Sequence, residues 1–303
     1  MGHPVLAGDV RGKTIVITGA SAGIGAAAAR RLSKAGATVV AVGRSQERTA
    51  AVAADLGTEP VIADFASFAQ VRRAAEVLLD RCPRIHVLAN NAGGIVPSRT
   101  LSDDGHELTF QSNHLAGFLL TRLLLPRLRE TANDADVRII TTSSLGNRFA
   151  KIRVDDLEWE HRRYGNGWIV YSATKLMNIM FTRHLAQEVA NDGIAAVCFH
   201  PEPGRNAEPV DKSDPDRVRT NFAEDTRVMR LFHAIPGLSN RQLSGAHGAQ
   251  PLVWLSSTPE LIGSSGAYFD GMIATEKFNK QAKDDAIVRQ LWDRSLELVR
   301  GSL

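Results

Sequence analysis

The sequence predicts a single doubly wound α/β domain, with a mostly parallel sheet covered by helices on both faces. Three observations predict it. Short β-branched runs alternate with helix-period segments over about two-thirds of the chain. The runs are almost wholly apolar, as expected of strands buried on both faces. One strand-to-helix junction reads "TGASAGIG", Thr18 to Gly25, placing three glycines where they would weaken either element.

Taken in order, the predicted strands are Thr14–Thr18, Thr38–Val42, Pro60–Ala63, Ile85–Ala89, Val137–Thr142 and Ala195–His200. The predicted helices between them are Ala26–Ala35, Gln46–Leu56, Phe68–Leu79, Glu107–Leu128 and Tyr171–Val189. Ser67 with Gln70 reads as a capping box opening the third helix. No internal repeat, low-complexity tract or linker divides the chain, so residues 1–303 are expected to form one domain.

Composition excludes several classes. Of 303 residues, 44% are hydrophobic and 23% charged, as in ordinary globular proteins. The net charge of +3 is small and the basic residues are scattered, which argues against a nucleic-acid partner. Two cysteines, Cys82 and Cys198, lack metal-ligand spacing and fit a reducing compartment. His161, His200 and His233 form no ligand pattern either, so no metal is expected. The N-terminus has no signal-peptide core, and Leu6 stands where myristoylation favours Ser or Thr. The most apolar helical stretch, "HLAGFLLTRLLLPRL", is interrupted by Arg122 and Pro126. A cytoplasmic protein without membrane contact is expected.

The glycines have a task. Where the first strand delivers the chain onto a helix N-terminus, free N–H groups and a partial positive charge attract a pyrophosphate. Gly19 would allow the tight turn, Gly23 the approach of phosphate, and Gly25 close packing of helix on sheet, with Ser21, Ala22 and Ile24 completing the loop. Where the second strand ends, a NAD(H) site usually offers a carboxylate to the ribose 2′-hydroxyl. This chain offers Gly43 and Arg44, with Arg48 a turn beyond. A guanidinium grips a 2′-phosphate, which favours NADP(H) over NAD(H).

Three polar motifs converge on the carboxyl edge of the sheet: "FQSNH", "TTSSLGN" and "YSATK". Tyr171 and Lys175, four apart, share a helix face. An ammonium beside a phenol, joined by an oxidised nicotinamide, would favour the phenolate.

With "TGASAGIG", "NNAG" (Asn90–Gly93), the strand-end serines and "YSATK" in order, the chain resembles the short-chain dehydrogenase/reductase family from about Lys13 onward. Its "LTFQSNHLAGFLLTRLLLPRL", "YSATKLMNIMFTRHLA" and "GAQPLVWL" resemble the retinol-dehydrogenase-like branch, which includes protochlorophyllide reductases. The resemblance implies a Rossmann-type, seven-stranded sheet and assigns roles. Tyr171 would be the acid/base. Lys175 would hold the nicotinamide ribose. Ser144 would bond the substrate oxygen, with Ser143 the alternative. Asn113 would hold a proton-conducting water, or else cap backbone groups at a helix irregularity. Asp64 would sit beside the adenine with Phe65, while Asn90, Ala92 and Gly93 would line the nucleoside.

The chain departs from the family after the sixth strand. Where Pro-Gly and then Thr are usual, it reads "HPEPGRNAEPVDKSDPDRVRTNF". Pro201 and Thr220 look like the two halves of the nicotinamide loop, Pro203–Gly204 like a shifted Pro-Gly, and Glu202 replaces the usual glycine. The excess residues are rich in turn formers. They suggest a substrate-loop or lid region at about 202–247, including an amphipathic helix that contributes Phe222, Met229 and Phe232. With Phe149 and Trp168 as further walls, a lipophilic ketone, aldehyde or secondary alcohol is expected. A homodimer or homotetramer, paired through the helices holding Asn113 and Tyr171, is implied. Two other readings stay open: an epimerase or dehydratase sharing Tyr and Lys, and a non-catalytic NADP(H) sensor.

Overall fold

A computed structural model describes residues 6–201, 245–259 and 261–303. Its first half alternates β1 (Thr14–Thr18), α1 (Gly23–Lys34), β2 (Thr38–Gly43), α2 (Gln46–Leu56), β3 (Val61–Ile62), α3 (Phe68–Arg81) and β4 (Val87–Asn90). A short α4 (Leu108–Phe110), a π-helical turn (Gln111–Leu115) and α5 (Ala116–Ala132) lead to β5 (Val137–Thr142). Then come α6 (Trp168–Glu188), β6 (Ile194–His200), α7 (Gly245–Gly248), α8 (Gln250–Ser257), β7 (Tyr268–Asp270), β8 (Ile273–Ala274) and α9 (Asp285–Val299).

The sheet order is β3-β2-β1-β4-β5-β6-β7-β8. Strands β1 to β7 are parallel, and β8 returns antiparallel along β7. The sheet therefore has eight strands, one more than predicted. The chain turns back at Gly271, where φ is +63°, and two exposed residues pair with Phe269 and Asp270.

Side-chain alternation along the strands makes two cores. Val16, Leu88, Ile139 and Cys198 face the layer of α3, α5, α6 and α9. Ile15, Ile17, Ala89, Ile140 and Phe199 face the layer of α1 and α8. Both faces of every central strand are thus covered, so the strands are mostly apolar, and polar side chains such as Thr18, Asn90, Thr141 and Thr142 gather toward their carboxyl ends. The order of strands reverses between β1 and β4, and a crevice opens there at the carboxyl ends.

Local structure departs from the sequence reading in three places. The capping box is not formed. Ser67 makes no side-chain cap, Asp104 Oδ2 accepts from Phe68 N at 2.7 Å, and Gln70 Oε1 accepts from Asp64 N at 3.0 Å. A carboxylate from a distant loop competes successfully for the free N–H. The helix expected over Glu107–Leu128 begins on the Glu107 side chain, which accepts from Thr109 N and Phe110 N, and is then interrupted by the π turn. Helix α5 carries Pro126 within it, as the expected helix did, and continues to Ala132, past the predicted end at Leu128. Among the described residues no helix is long and apolar enough to cross a membrane.

Helix α9 lies against α5 and α6, the two helices through which pairing with another copy is implied. The Trp292 ring stands 4.9 Å from that of Phe118, 5.9 Å from Phe181 and 4.4 Å from His184. Replacing Trp292 by Ala should cost about 3–5 kcal/mol of stability, read from the urea midpoint.

Candidate active site

The crevice between β1 and β4 widens into a cavity of about 620 Å³ that runs from the end of β2 to the start of β6's following loop. Its floor is the glycine loop. Gly19 has φ +68°, and a Cβ there would stand 2.8 Å from Ala92 Cα. A Cβ on Gly25 would stand 2.4 Å from the Gly19 carbonyl oxygen. The first turn of α1 has no side-chain cap and no acidic residue. Ser21, Ala22, Gly23 and Ile24 line the cavity beside it. Uncapped N–H groups at an α-helix start suit a phosphate.

Thr18 ties this floor to β4. Its hydroxyl accepts from Asn91 N and Ala92 N, each at 3.0 Å, and donates to Ala89 O at 3.2 Å. The Asn91 amide donates to Thr18 O at 3.0 Å and accepts from Thr142 Oγ1 at 3.3 Å. Asn91, Ala92 and Gly93 line the cavity. Asn90 does not; its amide donates to Thr121 Oγ1 on α5 at 2.8 Å. Strand alternation explains the difference. Leu88 faces the α5 layer and Ala89 the other, so Asn90 faces α5 again. Sequence reasoning missed Asn91, which that parity could have found.

At the end of β2, Arg44 and Arg48 are exposed, line the cavity and make no ion pair among the described residues. Gly43 lets the wall close: a Cβ there would meet Thr49 Oγ1 at 2.5 Å. Asp64 and Phe65 stand opposite, with Asp64 Oδ1 accepting from Ala66 N at 3.0 Å.

At the other end α6 presents Tyr171 and Lys175, both buried and both lining the cavity. Ser144 hydrogen-bonds the Tyr171 hydroxyl. Ser143 is turned away, its hydroxyl donating to Lys175 O at 2.7 Å. The Lys175 ammonium lies 5.5 Å from the Tyr171 ring and donates to Thr142 O at 3.2 Å. Burial holds the Tyr171 phenol above its ordinary range, opposed by the Ser144 hydrogen bond. Burial also brings Lys175 down to about 8, opposed by Cys198. Burial dominates in the protein alone, whereas the expected shift toward the phenolate joins the ammonium to an oxidised nicotinamide's charge.

Asn113 stands on the π turn, a distortion frequent at functional sites. Its amide donates to Gly94 O at 2.9 Å and Thr174 Oγ1 at 3.1 Å, and accepts from Gly94 N at 2.8 Å. It therefore holds the loop after β4 as a neighbouring strand would. Behind it, the His114 ring lies among Phe110, Phe118 and Phe181, with Nε2 2.9 Å from Ser295 Oγ.

Of the expected substrate walls, Trp168 packs on Tyr171 with ring centroids 5.6 Å apart. Phe149 is not a wall: it ends a 3₁₀ turn whose Gly146 and Asn147 are buried, and is 83% exposed. The apolar wall comes instead from Ile95, Val96 and Leu108. Pro201 lines the cavity and His200 Nδ1 accepts from Leu145 N at 3.2 Å. Thr220, Glu202, Pro203, Gly204, Phe222, Met229, Phe232 and His233 lie outside the described residues. No metal-holding group of His, Cys, Asp or Glu occurs among the described residues.

Comparisons with known proteins agree with this geometry. The family model for short chain dehydrogenase matches residues 13–154. A Streptomyces sp. (strain C5) protein provisionally named daunorubicin C-13 ketoreductase is 38% identical, covering 98% of this chain and 96% of its own. Human retinol dehydrogenase 14 is 33% identical, covering 96% of this chain and 88% of its own. The crystal structure of 3-ketoacyl-(acyl-carrier-protein) reductase from Brucella melitensis complexed with NADH superposes with a TM-score of 0.63 at 26% identity. It covers 86% of this chain and 97% of that one.

Burial lowers His114 from 6.5 to about 4, so the folded state favours the neutral ring. Between those values the unfolded chain binds more protons. Stability is therefore full above pH 6.5 and should fall by about 3 kcal/mol as pH drops to 4. Urea midpoints against pH should show this decline, and His114→Phe should flatten it.

Proposed function

The chain belongs to the short-chain dehydrogenase/reductase family, in its retinol-dehydrogenase-like branch, and from this we propose an NADP(H)-dependent oxidoreductase acting on a lipophilic ketone, aldehyde or secondary alcohol. The observation that carries the reading is the Tyr171–Ser144 pair, standing over the same cavity whose floor is the glycine cradle.

The residues present fit a nicotinamide dinucleotide. The cradle is open where a side chain would fill it, and the uncapped start of α1 suits the pyrophosphate. Arg44, with Arg48 behind it, would hold a 2′-phosphate at a strand end that carries no carboxylate. Asp64 and Phe65 would flank the adenine, and Asn91, Ala92, Gly93 and Pro201 the rest of the nucleotide. Thr220 is proposed for the carboxamide. When bound, the dinucleotide supplies or accepts the hydride.

The chain's own residues manage the proton and the oxygen. Ser144 and Tyr171 would hold a carbonyl oxygen between two hydroxyls and stabilise charge developing on it. A phenol held neutral by burial can donate the proton that a carbonyl oxygen takes up on reduction. Lys175 would hold the ribose hydroxyls and offset the phenolate left behind. Asn113, by fixing Gly94 and the loop to Val96, would shape the substrate wall. Ile95, Val96 and Leu108 make that wall apolar, in keeping with relatives named for a polycyclic ketone and for retinol.

Turnover of NADPH with a panel of apolar ketones and aldehydes tests the reading. Tyr171→Phe should lower kcat about 10³-fold while NADPH affinity is held. Arg44→Asp should reduce the preference for NADPH over NADH by about 10–100-fold, measured as the ratio of kcat/KM.

A further inference from the structure

A chain of polar side chains runs behind the site through an otherwise aromatic core, and nothing in the chemistry above uses it. The Thr142 carbonyl at the end of β5 accepts from Lys175 Nζ at 3.2 Å and from Asn178 Nδ2 at 3.1 Å. Asn178 Oδ1 lies 3.4 Å from His114 Nδ1, and His114 Nε2 lies 2.9 Å from Ser295 Oγ on α9. Asn178, His114 and Ser295 are all buried.

Chemistry fixes the direction of the bonds that run from Thr142 to His114. A carbonyl oxygen only accepts, so the Asn178 NH₂ must face Thr142 and its oxygen must face His114. That oxygen also only accepts, so His114 Nδ1 carries the proton. Burial keeps the ring neutral, which leaves Nε2 as an acceptor. The Ser295 hydroxyl must then donate to it. The same hydroxyl also donates to Leu291 O at 2.8 Å, so its one proton is shared between that carbonyl and the ring. One tautomer thus satisfies four groups from the π turn, α6, β5 and α9.

We propose that His114, Asn178 and Ser295 are positioning residues, forming a buried strut that braces the Thr142 carbonyl, and through it the Lys175 ammonium, against α9. The proposal rests on the oxidoreductase reading of Lys175. Helix α6 alone sets where the Lys175 backbone stands; its long side chain needs a fixed acceptor to end in one place. The strut supplies that acceptor and holds it from the side opposite the cavity. The titratable groups beside Lys175 are Tyr171 on its own helix and Cys198 on β6, whose thiol burial pushes up to about 12. Aromatic rings of Phe110, Phe118 and Phe181 surround His114.

The test combines kinetics with NADPH and acetophenone and an NMR titration of isotope-labelled lysine side chains in the full chain. Lys175→Met identifies the resonance. His114→Phe keeps an aromatic ring in its stack but offers Asn178 no donor. It should lower kcat about tenfold, hold NADPH affinity, and displace the Lys175 titration by about one pH unit. His114→Asn restores a donor near the Nδ1 position and should return the titration toward its original place. Ser295→Ala should act in the same direction as His114→Phe and add nothing to it, because both cut one strut. An unchanged Lys175 titration in His114→Phe, with only a lower melting temperature, would overturn the proposal. So would simple additivity of His114→Phe and Ser295→Ala. If the parent protein turned over no carbonyl compound, the oxidoreductase reading would fail, while the titration would still decide the strut.

Discussion

The Thr18 hydroxyl joins the two strands whose divergence makes the cavity. It receives two N–H groups from the turn after β4 and gives its own proton to Ala89. Those bonds bring Ala92 against Gly19 so closely that no side chain fits between them. The glycine cradle is therefore shaped from two sides. The turn after β1 provides backbone freedom, and the turn after β4 provides a rigid wall. Helix α1 itself is held on the sheet by its buried alanines and Leu32.

Desolvation governs the other end. Tyr171 and Lys175 are buried in the same helix, and each is pushed toward its neutral form. Their surroundings compensate with directed hydrogen bonds rather than opposite charges: Ser144 to the phenol and Thr142 O from the ammonium. Among the described residues that line this end of the cavity, none is a carboxylate. Such a site holds protons until a charged ligand changes the balance, and its electrostatics are set by geometry more than by net charge.

Much of this was legible in the chain. Apolar runs alternating with helical segments pointed to the parallel sheet, because strands buried on two faces are made mostly of apolar residues. The glycine loop, Arg44 and the Tyr171–Lys175 spacing each mark a local requirement, and all line one cavity in the structure. What escaped the sequence depends on contacts across long separations. Asp104 displaces Ser67 at the start of α3, Glu107 and the π turn remodel α4 and α5, and Gly271 folds back an eighth strand. Asn90 opens the motif, but strand parity turns it toward α5 and leaves Asn91 on the cavity side. Phe149 was given a wall because its apolarity says nothing about which way a short 3₁₀ turn exposes its last residue.

The placement of Trp292 and Ser295 on α9 bears on the order in which the protein acquires its abilities during synthesis. The glycine loop, Arg44 and the wall against Gly19 come from β1, α1, β2 and the turn after β4, all early in the chain. The aromatic seal over α5 and α6, and the hydroxyl that meets His114, emerge from the ribosome far later. The proton-handling end of the cavity is therefore closed on its far side by chain that is made last.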